Sequence, residues 1–312
     1  MKKTIIAAAV AASVAAPAAF ADVSISGMVN PEFIDQDGTT GWGASGINTD
    51  LVFKASEDLG NGLKATAKIH TFIDSNNEDN SSTDSGLATG SNDTDGSGRT
   101  ADLSVTISGD FGSVVAGRFE PASEGVMDAF MNIDASHDLD LEDNTNAIGR
   151  TNNGLAYHSP SMNGFKVGLG NFASAGSTDD GDFAGAQEIF VKYSNGPLTV
   201  MANNTEVDGG TEHQSVAVSY KMGDLELRAM ERSTNTGAAG AADEDSTFFG
   251  AKYTMGANTF AAGMLDDDAA SADAEIYSVS HAMSKNTSVY VTVLQADAAN
   301  GDKTAVGIVQ KF

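Results

Sequence analysis

An acidic segment is the part of this sequence whose residue types most clearly could do chemistry. Residues 119–149 contain eight carboxylates and no lysine or arginine, and the first four are Glu120, Glu124, Asp128 and Asp134. Such a run can place a field across a water-filled passage. It can also be a solvated surface loop, which is the usual role of a charge run.

A basic set on the polar phase of alternating segments is the natural counterpart of this acidic segment. Facing it across a passage, the basic residues would produce a transverse field that orients polar solutes and disfavours apolar ones. Each of them could equally be an ordinary solvated side chain. The members are Lys64, Lys68, Arg118, Arg150, Lys166 and Arg228.

Catalytic and metal-binding patterns are missing from the sequence. The chain has five histidines, none in an HExxH arrangement, no GxSxG elbow and no cysteine. The stretch 91–96 resembles a calcium loop, but Asp102 stands where the twelfth-position glutamate belongs. Gly168 and Gly170 lie inside an alternating strand rather than a dinucleotide turn. We therefore predict no enzyme activity, no metal and no cofactor.

The first 21 residues predict a secretory signal peptide. A basic start at Lys2 and Lys3 precedes an apolar stretch and a small-residue cleavage site ending at Ala21. Residues 22–312 then form one domain, and removal of the two lysines changes the formal charge from −26 to −28. This surface should repel nucleic acids.

Alternation with a period of two runs through the remaining chain and predicts strands. In residues 63–70 every odd position is apolar and every even position is polar, and the C-terminal stretch repeats the pattern at Val306 and Ile308. No stretch after residue 21 reaches the roughly 18 apolar residues of a membrane-spanning helix. Each alternating segment is about ten residues long, which suits a tilted strand in a hydrocarbon layer.

Two kinds of connection separate these segments. Short turns rich in Gly, Asn, Asp or Pro alternate with longer polar segments, among them 74–98 and 119–149. Two strands flank each turn, and an opening and a closing strand bring the total to sixteen. The seven turns lie at 57–62, 109–112, 159–164, 194–197, 222–224, 255–258 and 284–287.

Tyrosines mark the short-turn side. Tyr157, Tyr193, Tyr220 and Tyr253 each end a segment just before a tight turn, at intervals of 36, 27 and 33 residues. A recurring aromatic at one rim is typical of a membrane-interface girdle. Because backbone groups in lipid must be paired internally, such a sheet has to close. We predict an all-β fold, a 16-stranded antiparallel transmembrane barrel that is apolar outside and polar inside around a water-filled lumen.

The sequence resembles the general diffusion porins of Gram-negative outer membranes over essentially the whole mature chain. The similarity rests on the signal peptide, the opening residues 23–27, the stretch 149–160 and the terminal strand 305–312. It implies short periplasmic turns, long extracellular loops, a third loop (119–149) folded into the lumen as a constriction, and a homotrimer. It also implies that Phe312 is part of the signal read by the barrel assembly machinery. Gln310 departs from the family pattern, which more often has an apolar or aromatic residue there.

The function expected from this similarity is passive diffusion of small hydrophilic solutes and ions through the outer membrane. The excess of carboxylates predicts a cation preference, and outer membrane lipid and lipopolysaccharide are the expected surroundings, with divalent ions bound to outer loops as a further hypothesis. Two alternatives stay open. A substrate-specific channel would need a row of aromatics along the lumen, for which only Phe190 and Phe248 have the inward phase. An exported soluble β-sandwich adhesin would need no aromatic rim.

Overall fold

The computed structural model describes residues 22–36, 43–73, 100–136, 139, 141, 150–173, 185–237, 243–268, 273–297 and 301–312. The predicted signal peptide and the predicted loop at 74–98 lie outside these residues, so both stay predictions. The same applies to four of the eight acidic positions in the segment 119–149. No helix among the described residues is long and apolar enough to cross a membrane.

Sixteen strands form one closed antiparallel barrel, in which each strand pairs with its sequence neighbours and the last pairs with the first. This confirms the predicted architecture. The strands are β1 Asp22–Gln36, β2 Gly43–Gly60, β3 Leu63–Ile73, β4 Thr100–Gly109, β5 Gly112–Phe119, β6 Thr151–His158, β7 Phe165–Phe172, β8 Ala186–Asn195, β9 Leu198–Val207, β10 Thr211–Met222, β11 Leu225–Asn235, β12 Glu244–Met255, β13 Asn258–Asp267, β14 Ala274–Ala282, β15 Thr287–Ala296 and β16 Lys303–Lys311.

Alternation within the strands separates the outer and inner faces of the barrel. On β10, Val216, Val218 and Tyr220 are exposed while the intervening Ala217 is fully buried. Directly paired residues share a face, so the register extends this assignment from strand to strand. The exposed apolar side chains therefore lie outside, as a lipid-facing barrel requires.

One rim carries the seven predicted tight turns, each of which joins the expected pair of strands. The prediction that the other rim has only longer connections is wrong at residues 208–210. There β9 passes to β10 in three residues, and Gly209 and Gly210 adopt φ of +98° and +96°. Glycine tolerates this left-handed backbone, which is why so short a connection closes here.

The predicted tyrosines lie at the short-turn rim. Tyr157, Tyr220 and Tyr253 are exposed on the outer face. Tyr157 donates a hydrogen bond to the Phe111 carbonyl of the adjacent turn (2.7 Å), and the ring of Tyr193 packs against Phe165 with centroids 4.5 Å apart. The arrangement fits an interfacial girdle, with apolar ring bodies and polar tips at one level.

The C-terminus completes the seam. Phe312 exchanges two backbone hydrogen bonds with Gly27 (3.0 and 3.1 Å), and its side chain stays exposed. The departure at Gln310 is accommodated by a hydrogen bond from the Thr287 hydroxyl (2.8 Å). The strand thus satisfies its end groups within the barrel.

Candidate functional site

The lumen holds a short helix, α1 (Ala122–Met131), which lies against β8, β9, β10 and β11. Its apolar positions 126, 127, 130 and 131 fall on one side and are almost completely buried. The part of residues 119–149 that the structure describes therefore folds into the lumen, as predicted from the sequence. We call residues 120–136, with 139 and 141, the inward segment.

The inner wall under this helix is apolar, which corrects the expectation of a uniformly polar lumen face. Phe248 is fully buried here, so it is not available as a lumen aromatic. Each large side chain of this wall, such as Phe248, contributes about 1.5–3 kcal/mol when it is removed from water, and the alanines contribute less. The buried wall residues are Met201, Ala217, Met230, Phe248, Leu265, Ala274, Ile276, Leu294 and Ala305.

Beyond the helix, the inward segment is attached to the wall near the seam. Ile133, Leu139 and Leu141 are fully buried in the same cluster. The Ser136 hydroxyl donates to Glu32 Oε1 (2.5 Å), and the Tyr290 hydroxyl donates to Glu32 Oε2 (2.7 Å). A buried carboxylate needs such donors, so Glu32 ties the segment to β1 and β15.

Arg150 is the centre of the ion pairs on the opposite side of the helix. Its Nη2 donates to Glu120 Oε2 (2.5 Å), its Nη1 donates to Glu124 Oε1, and its Nε lies 3.5 Å from Asp102. The structure therefore brings together one predicted basic residue and two predicted acidic residues, although Arg150 is 30 residues from Glu120 in the chain.

Burial has a large effect on the carboxylates of this site. It raises the pKa of Glu124 to about 7, with Glu120 and Asp128 adding to the rise and Arg150 opposing it. Burial and the charge of Asp128 also raise the pKa of Glu120. Burial alone would lower the pKa of Arg150, but the two glutamates outweigh it and the pKa is raised. Glu124 is thus poised to titrate near neutral pH.

Gly125 permits the Glu120 side chain to fold back along the helix. A Cβ at position 125 would lie 2.8 Å from Glu120 Oε1. Asp128, one turn after Glu124, stays half-buried on the helix side away from the apolar wall. Asp134 follows the helix, where its carboxylate accepts a hydrogen bond from the Ser136 backbone N–H (2.8 Å).

The wall beside Arg150 carries a second charged group. Lys68 forms an ion pair with the buried Asp102, and His70 lies 2.9 Å from an Asp50 oxygen and 3.6 Å from Asp102. Lys54 is directly opposite Lys68 in the ladder between β2 and β3. Two cations and a histidine therefore lie near two carboxylates on one strip of wall.

The other predicted basic residues are spread around the lumen. In the β-ladder register, Lys64 lies opposite Asp58 near the short-turn rim, and Lys166 lies opposite Lys192. Arg228 donates to Glu226 (2.7 Å) and to the Asn132 carbonyl at the end of α1 (3.2 Å). Of these three, Arg228 is the one for which a hydrogen bond to the inward segment is seen.

The phase expected for Arg118 is wrong. It pairs with Leu103, which is 57% exposed on the outer face, so Arg118 does not share the inward phase of Lys68. Its guanidinium is half-buried and donates to the Arg150 carbonyl (2.9 Å). The backbone of Arg118 thus has the outward phase, but its guanidinium reaches Arg150 from the end of β5 and adds a positive charge to the site.

Among the carboxylates that the sequence analysis missed, two bind the inward segment directly. Glu32 and Glu188 are buried on the wall and both bind the inward segment. Glu188 lies on the inward phase of β8, opposite Thr205. An alternating strand with a lone glutamate on its polar phase could have indicated Glu188, but not its partner 65 residues earlier.

Two cavities lie on opposite faces of the wall. One of about 210 Å³ lies inside, between the start of α1 and the wall, and includes Phe190, whose ring meets His158 edge-on at 5.6 Å. A larger one, about 490 Å³, lies on the outer apolar face around Phe249 and Tyr277, away from the charged site. Within the described residues, no group of three or more His, Asp or Glu side chains is arranged to hold a metal ion.

Comparison with known proteins identifies relatives of this barrel. Residues 7–301 match the family model described as Gram-negative porin. Outer membrane porin protein 32 of Delftia acidovorans is 30% identical over 267 residues, covering 75% of this chain and 70% of that protein. The structure of an anion-selective porin from Comamonas acidovorans matches with a TM-score of 0.66 and 22% identity, over 94% of this chain and 100% of that one. The OmpF–daunomycin complex of Salmonella typhi matches with a TM-score of 0.73 and 13% identity, over 93% and 97%.

Proposed function

The chain belongs to the Gram-negative porin family and is an outer-membrane β-barrel, and from that premise we propose that it forms a water-filled channel for passive diffusion of small hydrophilic solutes and ions. The observation that carries this proposal is the inward segment, which crosses into the lumen and places charged side chains beside Arg150. A field of this kind orients polar solutes and passes apolar ones poorly.

Roles for individual residues follow from this proposal. Glu120, Glu124, Asp128 and Asp134 form the acidic side of a constriction. Lys64, Lys68, Arg150, Lys166 and Arg228 form basic positions along the pore wall, with Arg118 behind Arg150. Phe312 belongs to the signal that the barrel assembly machinery reads, and lipopolysaccharide surrounds the outer rim.

We infer a weak cation preference from the charges around Arg150. A solved structure of the same fold, 22% identical to this chain, is described as anion-selective, so we infer the sign from the side chains of this chain and not from the fold. Five carboxylates near this point (Asp50, Asp102, Glu120, Glu124 and Asp128) stand against four cations (Lys54, Lys68, Arg118 and Arg150). His70, which lies 2.9 Å from Asp50 and 3.6 Å from Asp102, adds a fifth positive group when it is protonated, so these charges are close to balance and the acidic inward segment decides the preference.

The test is reconstitution of the purified protein into planar bilayers. Ohmic channels that close in three equal steps are expected if the protein is an open pore and a homotrimer. Under a salt gradient, the reversal potential should indicate a cation preference. An absence of channels would overturn the pore, whereas channels that prefer anions would overturn the selectivity alone.

A substrate-specific channel is the second candidate, and Phe190 beside the inner cavity is the observation in its favour. Phe190 is a single aromatic, because the second inward aromatic named from the sequence, Phe248, is fully buried. Liposome swelling with sugars of graded size separates the two functions. Rates that fall smoothly with size support diffusion, and one sugar that permeates far faster than others of its size supports a specific site.

A further inference from the structure

The start of α1 lacks a cap of its own. The N-cap position is Pro121, whose side chain cannot accept a hydrogen bond, and no side-chain cap is made there. The first backbone N–H groups of a helix have no partner within the helix, and leaving them unpaired in a buried position is costly. The inward segment must therefore find acceptors elsewhere.

Glu188 of the barrel wall supplies these acceptors. Its Oε1 accepts from the Ala122 backbone N–H and its Oε2 accepts from the Ser123 backbone N–H, both at 2.7 Å. The Thr205 hydroxyl donates to Oε2 as well (3.3 Å), and Glu188 is only 7% exposed. A carboxylate at a helix N-terminus also interacts favourably with the helix dipole.

The position of this cap links it to the charged site. Ala122 and Ser123 lie between Glu120 and Glu124, the two residues whose carboxylates bind Arg150. Holding the backbone at 122 and 123 therefore fixes the neighbouring backbone positions from which the side chains of Glu120 and Glu124 extend. The cap and the ion pairs thus share one rigid turn of chain.

We propose that Glu188 is a positioning residue that sets the charge of the constriction by holding the N-terminus of α1 against the wall. This inference rests on the proposed pore function. Without the cap, the first turn of α1 frays, Glu120 and Glu124 lose their fixed geometry toward Arg150, and the ion selectivity of the open channel changes.

The test compares Glu188→Gln and Glu188→Ala with the parent protein in planar bilayers. Glutamine keeps one acceptor but presents an N–H₂ group to a helix N–H, and alanine removes both acceptors. We expect the equilibrium constant between the ordered and the frayed first turn of α1 to fall by roughly two- to thirtyfold in Glu188→Ala, the range of one lost helix cap, and the cation-to-anion permeability ratio to change with it. Glu188→Gln should fall between the parent and Glu188→Ala.

Two glutamates provide matched controls for the loss of one charge. Glu244 lies on the lumen phase opposite Thr234 and is exposed, and Glu206 is exposed on the outer phase opposite Gln187. Glu244→Gln and Glu206→Gln should each change the cation-to-anion permeability ratio less than Glu188→Gln does. If Glu244→Gln shifts selectivity as much as Glu188→Gln does, the effect is a through-space charge effect and the proposal is overturned.

A double variant separates positioning from general loss of stability. If Glu188 acts through the ion pairs of Arg150, then Glu188→Gln adds little to the selectivity change already caused by Arg150→Gln. Additive changes would contradict the proposal. Because all these variants are measured in conducting channels, failure of the positioning role is distinct from failure of the pore function, in which the parent itself would not conduct.

Discussion

Protonation of Glu124 should change the ion selectivity of the channel near neutral pH. Burial raises the pKa of Glu124 to about 7, so the side chain is charged above this pH and neutral below it. The charges around Arg150 are close to balance when Glu124 is ionised, so this carboxylate is decisive. Acidification therefore removes one negative charge from the constriction, and the cation preference that we propose should weaken.

The magnitude follows from Coulomb's law. A unit charge about 6 Å from an ion in water contributes about 0.7 kcal/mol, and screening at physiological salt, with a Debye length of about 8 Å, halves this value roughly. The charge stabilises a cation and destabilises an anion by similar amounts. The cation-to-anion permeability ratio should thus fall about threefold when Glu124 is neutralised.

The assay is the reversal potential under a fixed salt gradient, measured from about pH 8.5 to about pH 5.5 on both sides of the expected midpoint. The parent should show one transition near pH 7. Glu124→Gln, which imitates the protonated side chain, should show the low ratio throughout this range. A transition near pH 7 that persists in Glu124→Gln would refute the reasoning, and so would a parent ratio that does not change with pH.

Further predictions test other contacts of the inward segment and the seam. Arg150→Gln should move the midpoint above pH 7 in the same titration, because burial then raises the Glu124 pKa without an opposing cation. Gly307→Ala should lower the free energy of unfolding in urea by about 1–3 kcal/mol, since a Cβ there overlaps the Tyr290 ring and hydroxyl that hold Glu32. Phe190→Ala should enlarge the inner cavity and raise the swelling rate with larger sugars, and an unchanged rate would mean that the cavity is off the solute path. Deletion of Phe312 should reduce the fraction of unheated protein that migrates as folded barrel in SDS gel electrophoresis, and Phe312→Tyr is the control.

The barrel could be predicted from the sequence because lipid imposes a repeating local rule. In each strand every second residue faces outward and must be apolar, and every tight turn needs residues that tolerate its backbone conformation. Both signals therefore recur along the chain. The helix α1 carries no comparable signal. Ten residues form a marginal helix by themselves, and this one is stabilised by apolar wall residues such as Met230 and Leu265. Leu265 belongs to a strand that is apolar on both phases, whereas Met230 is a single apolar residue among charged ones on its phase, and neither pattern marks the wall in a count of alternation.

The contacts of the charged site were predictable only where they follow from the position of a residue in the chain. Arg150 directly follows the acidic segment, so its pairing with Glu120 and Glu124 could be expected. Whether Arg118 faces the lumen or the outside could not be predicted, because the adjacent Val114 and Val115 are both apolar and leave the alternation of β5 undetermined. The register assigns Val115 to the inner face and Arg118 to the outer one. Contacts such as that of Glu188 with α1 join distant residues and depend on the closed barrel.

Net charge alone is a poor guide to the selectivity of such a pore. The chain carries −26, but charges beyond about 8 Å from a permeating ion are largely screened at physiological salt. In the proposed pore, the sign is then set by the few groups around Arg150, whose charges are close to balance. One substitution, or one proton on Glu124, is enough to shift this balance. Barrels with the same fold can therefore differ in selectivity, and the relative described as anion-selective is consistent with a sign set by a few local side chains rather than by the architecture.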